Sequence, residues 1–359
     1  MPFLDANCAV DLVFSWSSLE WYSFNIHADS PGKVYPKRRL SPFWKGQTPF
    51  LAAFVALGSH IYCFGGRTCS HEPIRDVSKL RIAPRIDKEW VSVFPRMISG
   101  RYYSSASVLG GKVYIFNHCP YAHTDSHWSE VFDPVNGKWE ALPNPPTYTD
   151  DCLIICATLE NPDRIIVAFR VPNDRYYAIF YVYDVHHKSW KELEPAMRKL
   201  HPMCCREWLQ RSLSVGDTLY WIEHRHDEIM LIAYDLDLDV WLERRVEGLE
   251  TSCIPYDEVS GGPGLPFLLH LEKHRFCVLE CTVDDCLHCL VFDVSHTQDK
   301  SLVLSVAWEQ KYKGGTNKMQ GITPYLTILH PAKTLKLPQK SSKKEVRENF
   351  QKKKKVIIF

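Results

Sequence analysis

Between Ser104 and Pro143 the chain alternates hydrophobic and polar positions in a pattern that returns along most of its length. A run of small residues, Ser104 to Leu109, ends at Gly110-Gly111, and an alternating run, KVYIF at 112–116, follows it. A third run ends at Phe132-Asp133, and Asn136-Gly137 turns the chain into a fourth that begins near Trp139. Period-two alternation is what a strand with two distinct faces requires, and Asn-Gly signals a type I′ turn, whose central residues take positive φ. The predicted unit is a four-stranded antiparallel meander. Its ring–acid pair and following Trp recur as Phe132-Asp133 to Trp139, Tyr183-Asp184 to Trp190 and Tyr234-Asp235 to Trp241, seven residues from ring to ring each time. Trp90, Trp139, Trp190 and Trp241 stand 49, 51 and 51 residues apart.

A meander repeated in this way exposes edges unless the array closes on itself, and radial closure gives a β-propeller. Residues 10–14, 20–26 and 42–46 read as three strands with no inner strand before them, while Tyr325 to His330 is a strand with no sheet of its own. One blade split between the two ends of the chain accounts for both. Counting one outer-strand Trp per blade gives Trp44, Trp90, Trp139, Trp190, Trp241 and Trp308, hence an all-β, six-bladed propeller over residues 1–338. The last interval is 67 residues, stretched by an insertion around Asp293 to Leu302 or by a misplaced Trp, so five or seven blades stay open. Ala52-Ala53, Ser104 to Ser107 and Ala157 suit inner strands crowded around an axis, and Trp on the outer strand fills the wider gap between sheets. Leu193 to Gln210 and Val246 to Gly264 are predicted to protrude as loops from one face.

A period near ~50 residues is that of the kelch repeat, whereas WD-type propeller repeats run ~40–45. In detail, Gly58 through IYCFGG to Gly66, and Leu109-Gly110-Gly111 through VYIF, resemble the strand, double glycine and downstream Trp of the kelch-repeat family in the galactose oxidase/kelch superfamily. The resemblance covers roughly residues 8–335. Only the copy ending at Trp90 keeps the second-strand pair, Gly65-Gly66; later copies read Phe116-Asn117, Ala168-Phe169, Ile222-Glu223 and Leu279-Glu280. The chain looks most like plant kelch proteins that often carry an F-box, yet its N-terminal residues resemble no F-box, so adaptor coupling is not carried over. What the resemblance implies is a non-catalytic interaction module serving as a substrate-recognition scaffold.

Composition fits that picture, with 45% hydrophobic and 24% charged residues. MPFLDANCAV lacks a basic-then-apolar leader, and apolar stretches such as YYAIFYVY at 176–183 fall short of the ~20 residues of a spanning helix. The expectation is a cytoplasmic or nuclear protein without membrane contact. Thirteen cysteines, an odd count, point to reduced buried thiols. The net charge of +1 hides an asymmetry: residues 333–359 hold ten Lys or Arg against two Glu, leaving 33 basic against 40 acidic residues before them. Residues 339–359 are expected to be a disordered Lys-rich tail, with nuclear import or contact with an acidic surface as the sharper alternative. Nucleic acid is expected to engage only that tail, and the propeller is expected to be monomeric.

Five loops after second strands emerge on one face: 66–76, 117–128, 170–176, 223–228 and 280–286. They carry Arg67, Arg75, Arg170, Arg175 and Arg225 with Tyr121, His123, His127 and Trp128, a composition of bidentate donors and rigid rings that predicts a rim for a protein or acidic peptide. Metal readings are weaker. His118, His123 and His127 with Cys119 and Asp125 have no ligand-like spacing, Cys277, Cys281, Cys286 and Cys289 with His288 alternate faces along strands, and Cys204-Cys205 point apart. Glu280, Asp284 and His288 match E-x-x-x-D-x-x-x-H, which resembles the iron pattern of plant nitrile-specifier proteins and defines the alternative, a metal-dependent propeller enzyme. Phosphate loops, dinucleotide fingerprints and nucleophile elbows are missing from the sequence. The expected protein has neither enzymatic activity nor a cofactor.

Overall fold

The computed structural model describes residues 9–17, 20–27, 38–68, 72–82, 87, 89–117, 127–146, 153–171, 174–199, 212–225, 228–249, 266–281, 286–297, 301–313 and 325–329. They form six antiparallel sheets. The first holds β1 (Ala9–Ser17), β2 (Glu20–His27) and β4 (Trp44–Lys45), with β3 (Arg38–Arg39) between the last two in sequence but paired elsewhere. The second is β5 (Ala53–Leu57), β6 (His60–Phe64), β7 (Val77–Arg81) and β8 (Val91–Val93). The third is β9 (Ser104–Leu109), β10 (Lys112–Asn117), β11 (Ser129–Asp133) and β12 (Lys138–Ala141). The fourth is β13 (Leu153–Leu159), β14 (Arg164–Val171), β15 (Asp174–Asp184) and β16 (Ser189–Lys199). The fifth is β17 (Leu213–Val215), β18 (Thr218–Arg225), β19 (Glu228–Asp235) and β20 (Val240–Arg245). The sixth is β21 (Phe267–Glu272), β22 (Arg275–Cys281), β23 (Cys286–His296) and β24 (Leu302–Lys313), and β3 runs parallel to β24, covering its outer edge at Tyr312 and Lys313.

The orphan strand finds its place. β25 (Tyr325–Leu329) pairs antiparallel with β1 from Asp11↔Leu329 to Ser15↔Tyr325, so the first sheet reads β25-β1-β2-β4 and is built from both ends of the chain. The leading strands β25, β5, β9, β13, β17 and β21 neighbour one another in turn, and β21 lies against β25. The ring closes, and the fold is a β-propeller.

The core is distributed over the interfaces between sheets. Six hydrophobic clusters lie between the six neighbouring pairs, from Trp21 with Phe54 and Leu80 round to Tyr22 and Leu40 with Cys277, Val291 and Trp308. Each sheet is therefore buried on both faces. In β14, Ile165, Val167 and Phe169 face the third sheet while Ile166 and Ala168 face the fifth, so the strand reads RIIVAFRV with no polar alternation.

The ring–acid–Trp signature has a local cause that repeats. Phe132↔Trp139, Tyr183↔Trp190 and Tyr234↔Trp241 are direct cross-strand partners, with ring centroids 4.8, 5.0 and 4.3 Å apart. The acid beside each ring holds the turn: Asp133 accepts from the N–H groups of Val135 and Asn136, Asp184 from that of His187, and Asp235 from those of Asp237 and Leu238. Each Trp also looks back to the preceding sheet. Trp139 Nε1 donates to Pro95 O at 3.0 Å and Trp190 Nε1 to Pro143 O at 2.6 Å. The expectation that these tryptophans join neighbouring sheets is met by packing and by hydrogen bonds.

Two local expectations are corrected, and the stretched interval before Trp308 finds its cause in the hairpin around Asp293 to Leu302. Gly137 has φ of 62° but Asn136 is not in the positive region, so residues 134–137 form a four-residue loop closed by one left-handed residue rather than a type I′ turn. Lys188 (φ 52°) and Asp239 (φ 54°) occupy the same place in the next two sheets. Leu193 to Lys199 is not a protruding loop but the continuation of β16, re-registered by a bulge so that Met197 meets Ile179; residues 200–211 lie outside the described region. The 67-residue interval to Trp308 arises partly because the β23–β24 hairpin runs on to His296↔Leu302, with a bulge beside Val291 that places Trp308 opposite Val291.

Candidate functional site

Second strands end and inner strands begin at one end of the ring, opposite the tight hairpins at Gly58 and Gly110. There the backbone of the second sheet is knitted into its neighbour. Gly66 N donates to Arg101 O at 2.9 Å, Arg101 N to Ile74 O at 3.2 Å, Met97 N to Arg75 O at 3.0 Å and Tyr103 N to Leu51 O at 3.1 Å. This knitting is why Gly65-Gly66 stands where it does: with φ of 63°, a Cβ on Gly65 would come 2.3 Å from Arg101 O, a contact no side chain tolerates.

Arg101 is the pin of this corner. Its guanidinium is completely buried with Glu130, Nη2 to Oε1 at 2.6 Å, and Nη1 donates to Asn117 Oδ1 at 3.0 Å and Trp128 O at 2.9 Å. Glu130 in turn accepts from Ile98 N at 2.7 Å. The linker into the third sheet is thus bound to that sheet's second and third strands by one buried ion pair with several hydrogen bonds, the condition under which a desolvated pair holds.

At the surface of the same corner, Arg67 N donates to Phe50 O at 2.9 Å, and the Arg67 guanidinium carbon lies 4.7 Å from the Phe50 ring centroid and 5.8 Å from that of Tyr102. Phe50 is 45% exposed. A cation held between rings of successive sheets combines charge with rigid contact area. Phe50 and Tyr102 were not singled out from the sequence. Their signal is register: each stands eight residues before the glycine of its first hairpin, Gly58 or Gly110, and each precedes a left-handed residue, Leu51 (φ 58°) or Tyr103 (φ 53°).

The other predicted rim residues divide. Arg75 is exposed at this corner, but its Nε donates to Met97 O at 2.7 Å, so the side chain also ties loop to linker. His127 is exposed and its carbonyl accepts from Arg101 Nη2 at 3.4 Å. Trp128 is no rim residue: it is buried against Phe116, Phe169 and Trp190, with Nε1 donating to Asn117 O. Arg170 and Arg225 sit in the second strands β14 and β18, which run on where no double glycine stops them, and Arg175 sits in the third strand β15, so none of the three is in a loop. Tyr121 and His123 lie outside the described residues, as do His118, Cys119, Asp125, Cys204 and Cys205.

The metal-like sets resolve differently from their spacing. Cys277, Cys286 and Cys289 are buried thiols, as expected; Cys277 and Cys289 meet as a pair with sulfurs 3.4 Å apart, because diagonal positions on β22 and β23 share a face. Burial, and then the neighbouring Cys277 thiol, raises the Cys289 pKa well above its usual value, and burial pushes Cys63 and Cys156 up to about 12. Such thiols stay protonated and unreactive. Glu280 and His288 are buried cross-strand partners, His288 Nε2 lies 3.0 Å from Glu309 Oε1, and Asp284 lies outside the described residues. Among the described residues no three His, Cys, Asp or Glu side chains are grouped to hold a metal ion.

Known proteins place the chain. A kelch repeat-containing protein of Arabidopsis thaliana is 29% identical over 127 residues, 35% of this chain and 28% of that protein. An F-box/LRR-repeat/kelch-repeat protein of the same plant is 32% identical over 93 residues, 26% of this chain and 22% of that protein. The matched stretches span about a quarter of the length of these curated relatives. Among solved structures, YjhT superposes with a TM-score of 0.45 at 13% identity, covering 80% of this chain and 91% of that one. The family model described as FKB95, Kelch-repeats domain, matches residues 21–261, about two thirds of the chain. With sheet topology, repeat signature and family model in agreement, the chain belongs to the FKB95 kelch-repeats family.

Proposed function

We propose that the six sheets are the six blades of a non-catalytic recognition module, and that its loop end binds a protein partner through an acidic segment. The observation that carries this reading is the corner around Arg67, where a guanidinium lies over the rings of Phe50 and Tyr102 on a backbone cross-bonded between two sheets. Preorganised arginine and ring area lose little entropy on binding, and the planar fork of arginine matches a carboxylate. Several relatives are F-box/kelch-repeat proteins by name, which supports a role as a substrate-recognition scaffold for this chain.

Affinity capture with the full chain tests it. Partners retained by the unaltered protein should bind about 1–3 kcal/mol more weakly to Arg67→Ala and to Arg75→Ala, with the fold intact by circular dichroism. Trp139→Ala should do the reverse, lowering the unfolding midpoint, since it packs against Phe64 and Phe132 and leaves the rim side chains in place. Full-strength capture by both arginine variants would place the interaction surface elsewhere.

A further inference from the structure

Where the ring closes, the short strand β3 carries the chain of the first sheet onto the outer edge of the sixth. We infer that Ser41, just beyond β3, is a phosphorylation site for a proline-directed protein kinase, and that its phosphate fastens β3 to β24 by bonding Arg39 and Lys313. Two independent observations point there. The first is a like-charge pair: Arg39 and Lys313 are direct partners across the parallel β3–β24 ladder, and both are exposed. Neighbouring strands run about 5 Å apart, so two cations placed opposite each other repel and weaken the pairing. Among the described residues neither cation has an acidic partner at ion-pair distance. An anion on this face removes the repulsion.

The second is the placement of Ser41. Leu40 N donates to Lys313 O at 3.1 Å, continuing the ladder, and the Leu40 side chain is buried with Trp308 and Tyr312. With Leu40 turned in, extended chain turns Arg39 and Ser41 out together, and both are exposed. The hydroxyl thus shares its face with the two cations. Pro42 follows, which holds Ser41 in the extended region, and Ser-Pro in extended chain is the acceptor of proline-directed kinases. Of the Ser-Pro and Thr-Pro pairs in the sequence, Thr48 is buried and Ser30 and Thr323 lie outside the described residues, which leaves Ser41 as the exposed acceptor among those described. In the transfer, Ser41 Oγ attacks the γ-phosphorus of ATP; the new O–P bond forms as the bond to the bridging oxygen breaks, ADP leaves with that electron pair, and the hydroxyl proton passes to the kinase's catalytic carboxylate. The product carries about two negative charges and three acceptor oxygens, enough for a bidentate bond from Arg39 and a second bond from Lys313. A two-residue strand opens locally at low cost, which admits the kinase and makes the clasp sensitive to one added contact.

The test treats the full chain with a mitogen-activated, proline-directed kinase and magnesium-ATP, beside a peptide of residues 36–46 as a control on the kinase. Peptide mapping should find phosphate on Ser41, and none at position 41 of Ser41→Ala or on Ser41 of Pro42→Ala. At low ionic strength, amide exchange over residues 38–43 should slow roughly threefold relative to Ser41→Ala treated in the same way, the scale of one surface ion pair. The double variant R39Q/K313Q should accept the phosphate without slowing, and inorganic phosphate added to the unmodified chain should leave exchange unchanged. No phosphate on Ser41 of the folded chain, whether or not the peptide accepts it, overturns the site. Phosphate on Ser41 with exchange unchanged or faster overturns the fastening, and equal slowing by inorganic phosphate would assign the cation pair to a soluble anion instead.

Discussion

Arg101→Ala should cost the fold about 3–5 kcal/mol, read as a lower urea midpoint at unchanged slope. Removing the guanidinium leaves the Glu130 carboxylate fully buried opposite an empty space, and strips Asn117 Oδ1 and the carbonyl of Trp128 of a shared donor. A double variant, R101M/E130Q, should recover a large part of the loss, because the penalty comes from an uncompensated buried charge more than from the pair's own strength. The side-chain amide introduced by E130Q keeps an oxygen that can accept from Ile98 N, which now bonds Glu130 at 2.7 Å. A double variant no more stable than R101A would mean that packing, not charge, holds this corner.

The second large effect is expected at ring closure. Ending the chain after Lys318 removes β25, whose five paired residues with β1 contribute about 1 kcal/mol each, and opens β1 to solvent. A loss of about 5 kcal/mol lowers the thermal midpoint by roughly 7 °C, since unfolding entropy grows by ~2.1 cal/mol/K per residue. Ending the chain after Gln339 keeps β25 and should leave the midpoint unchanged. Equal midpoints for the two truncations would contradict the shared first sheet.

The fold was legible where one residue does one local job in every repeat. Phe132, Asp133 and Trp139 stack, hold a turn and reach back to the preceding sheet, so their spacing survives from copy to copy. The hairpin type was not, because its left-handed position tolerates Gly137, Lys188 and Asp239 alike, and the glycine in one copy overstated the signal. Strand ends were misread for a related reason. Arg170 and Arg225 look like loop residues by polarity, but inter-strand pairing carries them on, and pairing register leaves no mark in composition.

Burial also hid the corner that matters most. Trp128, expected on the rim, is buried against Phe169, and Arg101, which the sequence did not single out, is buried and paired with Glu130. Phe50 and Tyr102 went unremarked as ordinary aromatics preceding inner strands. Only the closing of two sheets brings them to either side of Arg67, 17 and 35 residues away in sequence.

The most direct test of the central proposal is a hydrogen-exchange footprint of the full chain with a captured partner bound. Protection is expected at the loop end, over residues 50–51, 66–68, 72–76 and 96–103, and absent at the opposite turns, residues 58–59, 110–111, 134–137 and 185–188. Protection confined to those opposite turns, or to the outer strands β8, β12 and β20, would contradict a recognition surface built around Arg67.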